Sequence, residues 1–313
     1  SGYSGEELVR LLVRHPHAEL VALTSRQLAG QTMSQVFPRF SGMRYSDLPF
    51  IASTVADIVA SGAEFVFLAL PHGVAHEFAG PLLDAGLRVI DLSADFRLRD
   101  AATYQDFYNE AHPAPQLLTE AVYGLPELHR AEIQSAKLVG SAGCYPTTIL
   151  LPLVPLLRQN LIDPAEIIVS SASGVSGAGR KAETALLFGE CNESLRAYGL
   201  PKHRHLSEIE QELSLAAGRQ VVISFTAHLA PMNRGIHSTI FTKPAPGVSP
   251  ESILPTLEAA YANEPFVRVS KNLPDTKNTT GTNFCDISAR FDARTGRLIL
   301  LSAEDNLVKG AAG

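Results

Sequence analysis

The chain has no tryptophan, only three cysteines in 313 residues, and no excess of positive charge. It also lacks any uncharged apolar run approaching the ~18 residues of a helical membrane span, so no membrane partner is expected. Cys144, Cys191 and Cys285 are scattered, with no CxxC pair. An odd, sparse set argues against a disulfide framework and against a zinc site, so no metal is expected; it fits a reducing, cytoplasmic compartment. Net charge is −6 and the isoelectric point is near 5.9, the wrong sign for a nucleic-acid surface. Internal repeats and low-complexity tracts are absent too. What is present is a 45% hydrophobic chain, long enough for two domains with real cores. It starts at Ser1 without methionine and ends in Lys309-Gly310-Ala311-Ala312-Gly313, which reads as a helix cut just after its start. The expectation is a fragment trimmed at both ends.

The most informative stretch is Gly143-Cys144-Tyr145-Pro146-Thr147. Ala136 to Gly140 reads as a short buried strand. Thr148 to Leu157 is too apolar for a surface loop and reads as a buried helix, which Pro152 and Pro155 should bend or interrupt. Cys144 therefore falls in a strand-to-helix turn. Unpaired helical N–H groups and the helix dipole favour a thiolate there, and a thiolate is a competent acyl acceptor. The competing reading is a small buried cysteine beside a turn glycine.

Upstream, helices alternate with short continuous apolar strands. Helical segments are expected from Glu6 to Leu12, Val55 to Val59 and Gly73 to Ala85, and strands at 19–25, 64–70 and 88–92. That alternation predicts a Rossmann-like doubly wound parallel sheet in α/β class over residues 1–143. Downstream, 166–170, 220–243 and 284–301 are β-rich, and Asp292 to Arg297 has the composition of a hairpin turn. Residues 144–302 thus read as a second α+β domain with a largely antiparallel sheet. Residues 303–313 read as the start of a helix returning to the first domain.

Gly2 and Gly5 match the last two glycines of a phosphate-cradling turn, placing Ser1, Gly2, Tyr3, Ser4 and Gly5 against a dinucleotide pyrophosphate. The first glycine and first strand of that motif would precede Ser1 and are missing, which would expose the edges of neighbouring strands. The competing reading is an ordinary helix-start turn. Where an acidic residue would select NAD, the chain has Thr24-Ser25-Arg26. A hydroxyl and a guanidinium suit a 2′-phosphate, so Ser25 and Arg26 point to NADP; Arg26 as a solvated loop cation is the alternative.

These motifs resemble those of the N-acetyl-gamma-glutamyl-phosphate reductases, a family related to aspartate-semialdehyde dehydrogenase. The resemblance runs over nearly the whole chain: Ser1 to Leu8, Leu23 to Arg26, Leu70-Pro71-His72-Gly73, Asp91 to Leu98, Tyr123 to Glu127, Gly143 to Thr147, Ser173 to Arg180, His203-Arg204-His205, Pro231 to Gly235, Gly281 to Asp286 and Asp305 to Gly310. It implies an NADP-dependent reductase of arginine biosynthesis that converts an acyl phosphate to an aldehyde through a cysteine thioester, as a dimer or tetramer. It further implies cofactor contacts at Pro71, His72, Ser93, Ser176, Gly177 and Asn306. One departure is Ala142, where the family usually has proline. Related dehydrogenases of the lysine or aspartate pathway, a non-catalytic nucleotide-binding fragment and a Cys/His hydrolase stand as alternatives.

Such chemistry needs a base for the thiol and cations for the phosphate. Ser207 and Glu210 have capping-box spacing, so a helix should begin at Ser207 with His203 and His205 just outside it. In an extended segment the two share a face. His205 is favoured as acid/base and His203 as an orienting or substrate contact, an order the sequence does not fix. Arg97, at the carboxyl end of the sheet, is the first choice for the phosphate; a helix-start ion pair is its alternative. Ser173 and Arg180, in a Gly- and Ser-rich loop, are further substrate candidates.

Overall fold

A computed structural model describes residues 2–313; Ser1 lies outside the described residues. The first half alternates as expected: α1 (Tyr3–Leu12), β1 (Leu23–Thr24), β2 (Phe50–Ile51), α2 (Val55–Ala60), β3 (Phe65–Leu68), α3 (His76–Asp84), β4 (Arg88–Asp91), α4 (Ala101–Tyr108), β5 (Val122–Gly124), α5 (Pro126–Ser135) and β6 (Leu138–Ser141). Every pairing among these strands is parallel. The sheet comes in two pieces, β1-β2 and β3-β4-β6-β5. Between β1 and the β3 edge lies a cavity of about 690 Å³, lined by Leu20, Leu23, Phe65, Phe67 and Phe78 among others. The strand expected over residues 19–25 shrinks to Leu23 and Thr24 for this reason. Only those two residues find a ladder partner, in Phe50 and Ile51, and the other side faces the cavity.

The second half begins with α6 (Cys144–Arg158) and continues through β7 (Ile168–Ser173), β8 (Arg196–Tyr198), α7 (His205–Ala217), β9 (Ser224–Leu229), β10 (Ile236–Thr242), α8 (Ile253–Ala260), β11 (Val267–Val269), β12 (Cys285–Asp292) and β13 (Arg297–Glu304). These strands form one sheet of seven, ordered β11-β12-β13-β10-β7-β9-β8. Only β11-β12 and β7-β9 are parallel pairs, so the sheet is largely antiparallel as expected. The β12-β13 hairpin closes where the sequence put its turn, with Gly296 N–H on Asp292 C=O at 2.9 Å. The largest hydrophobic cluster lies between this sheet and α6, α7 and α8.

Of the bend or interruption expected at the two prolines, the interruption does not occur. α6 runs unbroken for 15 residues with Pro152 and Pro155 inside it. A proline at position i leaves the carbonyl at i−4 without its donor. For Pro152 that carbonyl is Thr148, and Ser302 Oγ donates to it at 2.6 Å. For Pro155 it is Leu151, and the Tyr261 hydroxyl donates to it at 2.6 Å. Both orphaned acceptors are satisfied by side chains remote in sequence. The closing segment is helical, of the π type. Asp305 Oδ1 accepts the N–H groups of Leu307 and Val308, and a π-type turn at Val308–Ala312 packs against α1 and α6.

Candidate active site

β6 delivers the chain through Ala142 and Gly143 into α6, with extended Gly143 as N-cap and Cys144 as the first helical residue. A methyl group added to Gly143 would lie 2.8 Å from His205 Nε2 and 3.0 Å from an Arg97 guanidinium nitrogen. Three predicted residues, from three separate regions, thus converge on one turn. Glycine is required there because the imidazole and guanidinium occupy the space a side chain would need.

α7 starts at His205, two residues before the expected Ser207. Arg204 is the N-cap and makes no side-chain cap bond; His203 Nδ1, one residue earlier, accepts the His205 N–H at 3.1 Å and serves in its place. Ser207 Oγ instead bonds back to Arg204 C=O at 2.7 Å, and Glu210 is taken by Ile223 N–H at 3.1 Å. His203 therefore stands outside the helix and His205 inside its first turn, their ring centroids 5.0 Å apart. Tyr145 packs edge-on against both.

Sequence reasoning missed the residue that organises this cluster. Glu208 is fully buried. Its carboxylate accepts from Arg97 Nη1 at 2.9 Å, Tyr123 OH at 3.1 Å and Gly143 N–H at 3.0 Å, and His205 Nε2 lies 4.0 Å away. The available signal was its spacing: three residues after His205, it shares that helix face.

Burial sets the protonation states. It pushes the Cys144 thiol up to about 12, with Glu304 opposing the thiolate next; Arg97 and the Tyr145 N–H pull the other way without prevailing. This corrects the expected thiolate: the helix end is real, but desolvation outweighs it. Burial and nearby Arg204 bring His203 down to about 4, and burial with His203, Arg97 and Arg204 takes His205 well below its ordinary value. Both imidazoles are neutral near pH 7, so His205 is an available base at the Gly143-Cys144 turn. Burial opposes the Arg97 charge, but Glu208 more than restores it. Arg97 Nη2 donates to Leu92 C=O at 3.0 Å, while its buried Nε has no hydrogen-bond partner among the described residues. That is a spare donor for an anion.

The expected cofactor residues fall into linked groups. Gly2 caps α1, and the first turn, with Tyr3, Ser4 and Gly5, presents N–H groups the helix cannot pair. Arg180, expected beside the substrate, pairs instead with Glu6 and lies 4.9 Å from the Tyr3 ring centroid. These contacts place it beside the start of α1, where Glu6 meets its charge. Arg26 pairs with exposed Glu77 at 3.1 Å, and Ser25 Oγ accepts the Gln27 and Leu28 N–H groups at 3.3 Å. Asp95 accepts from Gly73 N–H at 2.8 Å and Ala75 N–H at 2.9 Å, with His72 Nδ1 at 2.8 Å. Its own N–H donates to Ser93 Oγ at 3.1 Å, tying the Pro71-His72 loop to the Ser93 turn. Asn306 bonds Ser176 Oγ at 3.0 Å and Gly235 N–H at 2.8 Å. A methyl on Gly177 would touch Ser173 Oγ at 3.2 Å and Asn306 Nδ2 at 3.4 Å, so these four form one cluster. Free helix-end N–H groups, a guanidinium over Tyr3 and hydroxyl-bearing loops make a donor set that fits a phosphorylated dinucleotide.

Comparison with known proteins gives concordant results. The semialdehyde dehydrogenase NAD binding domain matches residues 1–136, and the semialdehyde dehydrogenase dimerisation domain matches residues 144–306. The chain is 58% identical over 315 residues to the N-acetyl-gamma-glutamyl-phosphate reductase of Akkermansia muciniphila, covering 100% of this chain and 91% of the relative. It is 50% identical to that of Rhodospirillum rubrum and 49% to that of Syntrophobacter fumaroxidans, covering 100% of this chain and 90% of each. Among solved structures, aspartate semialdehyde dehydrogenase with NADP from Candida albicans superposes with a TM-score of 0.74 at 15% identity, over 100% of this chain and 93% of that one. Aspartate semialdehyde dehydrogenase II from Vibrio cholerae gives 0.72 at 17% identity, over 100% and 92%. At such identities the structures speak for the fold.

Proposed function

This chain belongs to the N-acetyl-gamma-glutamyl-phosphate reductases of the semialdehyde dehydrogenase family, and on that premise we propose how it works. It reduces N-acetyl-gamma-glutamyl phosphate to N-acetyl-glutamate semialdehyde and phosphate, with NADP as its cofactor, in arginine biosynthesis. The observation that carries the residue assignment is the convergence of His205 and Arg97 on the Gly143-Cys144 turn. Neutral His205 is the base for the Cys144 proton, which it takes as the sulfur bonds to carbon rather than beforehand. The sulfur attacks the acyl carbon, a C–S bond forms, and the C–O bond to phosphate breaks. Arg97, with its spare Nε, holds the departing anion. NADPH, when bound, would supply the hydride to the thioester carbon; the C–S bond then breaks, the semialdehyde leaves and Cys144 regains its proton from His205. The α1 turn with Gly2, Tyr3, Ser4, Gly5 and Arg180, the His72 and Ser93 loops, and the Ser176, Gly177 and Asn306 cluster would hold the cofactor. Ser25 and Arg26 would meet its 2′-phosphate once Arg26 leaves Glu77. His203 orients His205 by capping its helix.

The domain division we infer falls at Gly143/Cys144, with residues 303–313 returning to α1. The dimerisation domain points to assembly, and we assign a second copy of this chain to the sheet face opposite α6. On that face Ile168, Thr226, Thr239, Phe241, Ile299 and Leu301 alternate with the core residues and stay accessible. The three free cysteines fit a cytoplasmic enzyme. The decisive experiment is Cys144→Ala. Phosphate-dependent oxidation of the semialdehyde with NADP should fall by at least about 10³-fold; activity within tenfold of the parent refutes the assignment.

A further inference from the structure

Cys144 has a second titratable neighbour, met through Gly310 rather than Gly143. Glu304 is the last residue of β13 and continues the core-facing series Leu298, Leu300 and Ser302. It is fully buried and paired in register with Cys285 on β12. A methyl group added to Gly310 would lie 2.7 Å from both Cys144 Cβ and Glu304 Oε1, so those two atoms sit within twice that distance of each other. Neither oxygen of Glu304 has a hydrogen-bond partner among the described residues.

The surrounding charges do not balance. Lys309 is the nearby ammonium, and it pairs with buried Glu127 Oε1. Glu127 Oε2 is left without a partner, so two interior carboxyls share one cation. Asp305, next in sequence, is satisfied separately by Arg234 at 3.3 Å and by the N–H groups of Gly281, Leu307 and Val308. Cys144 and Cys285, the remaining titratable neighbours, are thiols whose ionisation burial opposes. An unpartnered carboxylate in such an interior gives up its charge by keeping its proton.

We propose that Glu304 is a positioning residue for Cys144: a carboxyl held as the neutral acid across Gly310 from the nucleophile, whose O–H turns to the sulfur when it ionises and stabilises the thiolate. This rests on the reading of Cys144 as the nucleophile. Burial, Asp305 and Glu127 all push the Glu304 carboxyl well above its ordinary value against Lys309, in accord with the geometry. A neutral acid removes the second largest obstacle to the thiolate and replaces it with a donor.

The test needs no turnover. Cys144 alkylation by iodoacetamide is followed by peptide mass spectrometry from about pH 6 to pH 10 in the parent, Glu304→Gln and Glu304→Leu. Glutamine keeps a donor without charge, so E304Q should stay within about twofold of the parent. Leucine removes the donor, so E304L should alkylate about tenfold more slowly below the midpoint. An E304Q protein alkylated tenfold faster near pH 7 would mean a charged Glu304 and overturn the proposal. So would E304L alkylated at the parent rate. The infrared difference spectrum of parent minus E304Q decides the protonation state even if E304L fails to fold. It should contain the carbonyl stretch of a protonated carboxylic acid at neutral pH, and its absence overturns the proposal. Failure of the underlying reading looks different: full phosphate-dependent turnover by Cys144→Ala would remove both.

Discussion

Replacing Glu208 with glutamine tests whether one buried carboxylate holds the site together. The parent side chain receives three donors, from Arg97, Tyr123 and the Gly143 N–H, at 2.9, 3.1 and 3.0 Å. Arg97 is itself only 9% exposed, so its charge has little recourse to water. At that separation the ion pair is worth about 4–6 kcal/mol for an effective dielectric near 20. Glutamine returns part of this through its amide oxygen but presents N–H groups to a donor-rich pocket. Breaking a buried pair in this way costs about 3–5 kcal/mol. E208Q should therefore lose roughly 3 kcal/mol or more of folding free energy in urea titration. Because the same change loosens Arg97 and the Cys144 turn, kcat/KM should fall by about 10²-fold or more. If E208Q unfolds within about 0.5 kcal/mol of the parent, the pair carries no net weight and the account of how the turn is held is wrong.

Three further outcomes follow from particular contacts. Tyr261→Phe leaves the Leu151 carbonyl orphaned above Pro155, and it should destabilise the protein by about 1–3 kcal/mol in denaturant titration; a neutral effect would mean α6 tolerates its proline unaided. Both histidines are depressed below their ordinary value of about 6.5, so they become charged only as pH falls beneath it. The acid limb of kcat/KM should accordingly lie below about pH 6, and a limb at pH 7 or above contradicts neutral imidazoles. His205→Asn should lower kcat by about 10²- to 10⁴-fold while His203→Asn, which keeps a capping oxygen, should cost less than about tenfold; the reverse order would exchange their roles.

Much of this molecule is legible in its sequence because the signals are local. The alternation of apolar strands and helices gives the parallel sheet, and the hairpin composition at Asp292 to Arg297 gives the β12-β13 turn. Cys144, His205 and Arg97 could be named because each carries chemistry that few other residues nearby could supply. What escaped depends on contacts across the fold. Pro152 and Pro155 do not break α6 because Ser302 and Tyr261 cover their carbonyls. The capping-box spacing of Ser207 and Glu210 loses to an imidazole cap from His203. The helix end does not by itself ionise Cys144 because desolvation, which is not visible along the chain, outweighs it. Glu208 was passed over because an acidic residue in a first helical turn is ordinarily read as a solvated dipole partner, whereas here it is the buried counter-ion of Arg97.

The central claim is that the Cys144 sulfur carries the acyl group. Incubating the protein with NADP and the semialdehyde in the absence of phosphate, then quenching in acid and mapping peptides by mass, tests it directly. The account predicts an N-acetylglutamyl thioester on Cys144 that disappears when phosphate is restored. An acyl group found on another residue, or full phosphate-dependent turnover with Cys144 unmodified throughout, would contradict it.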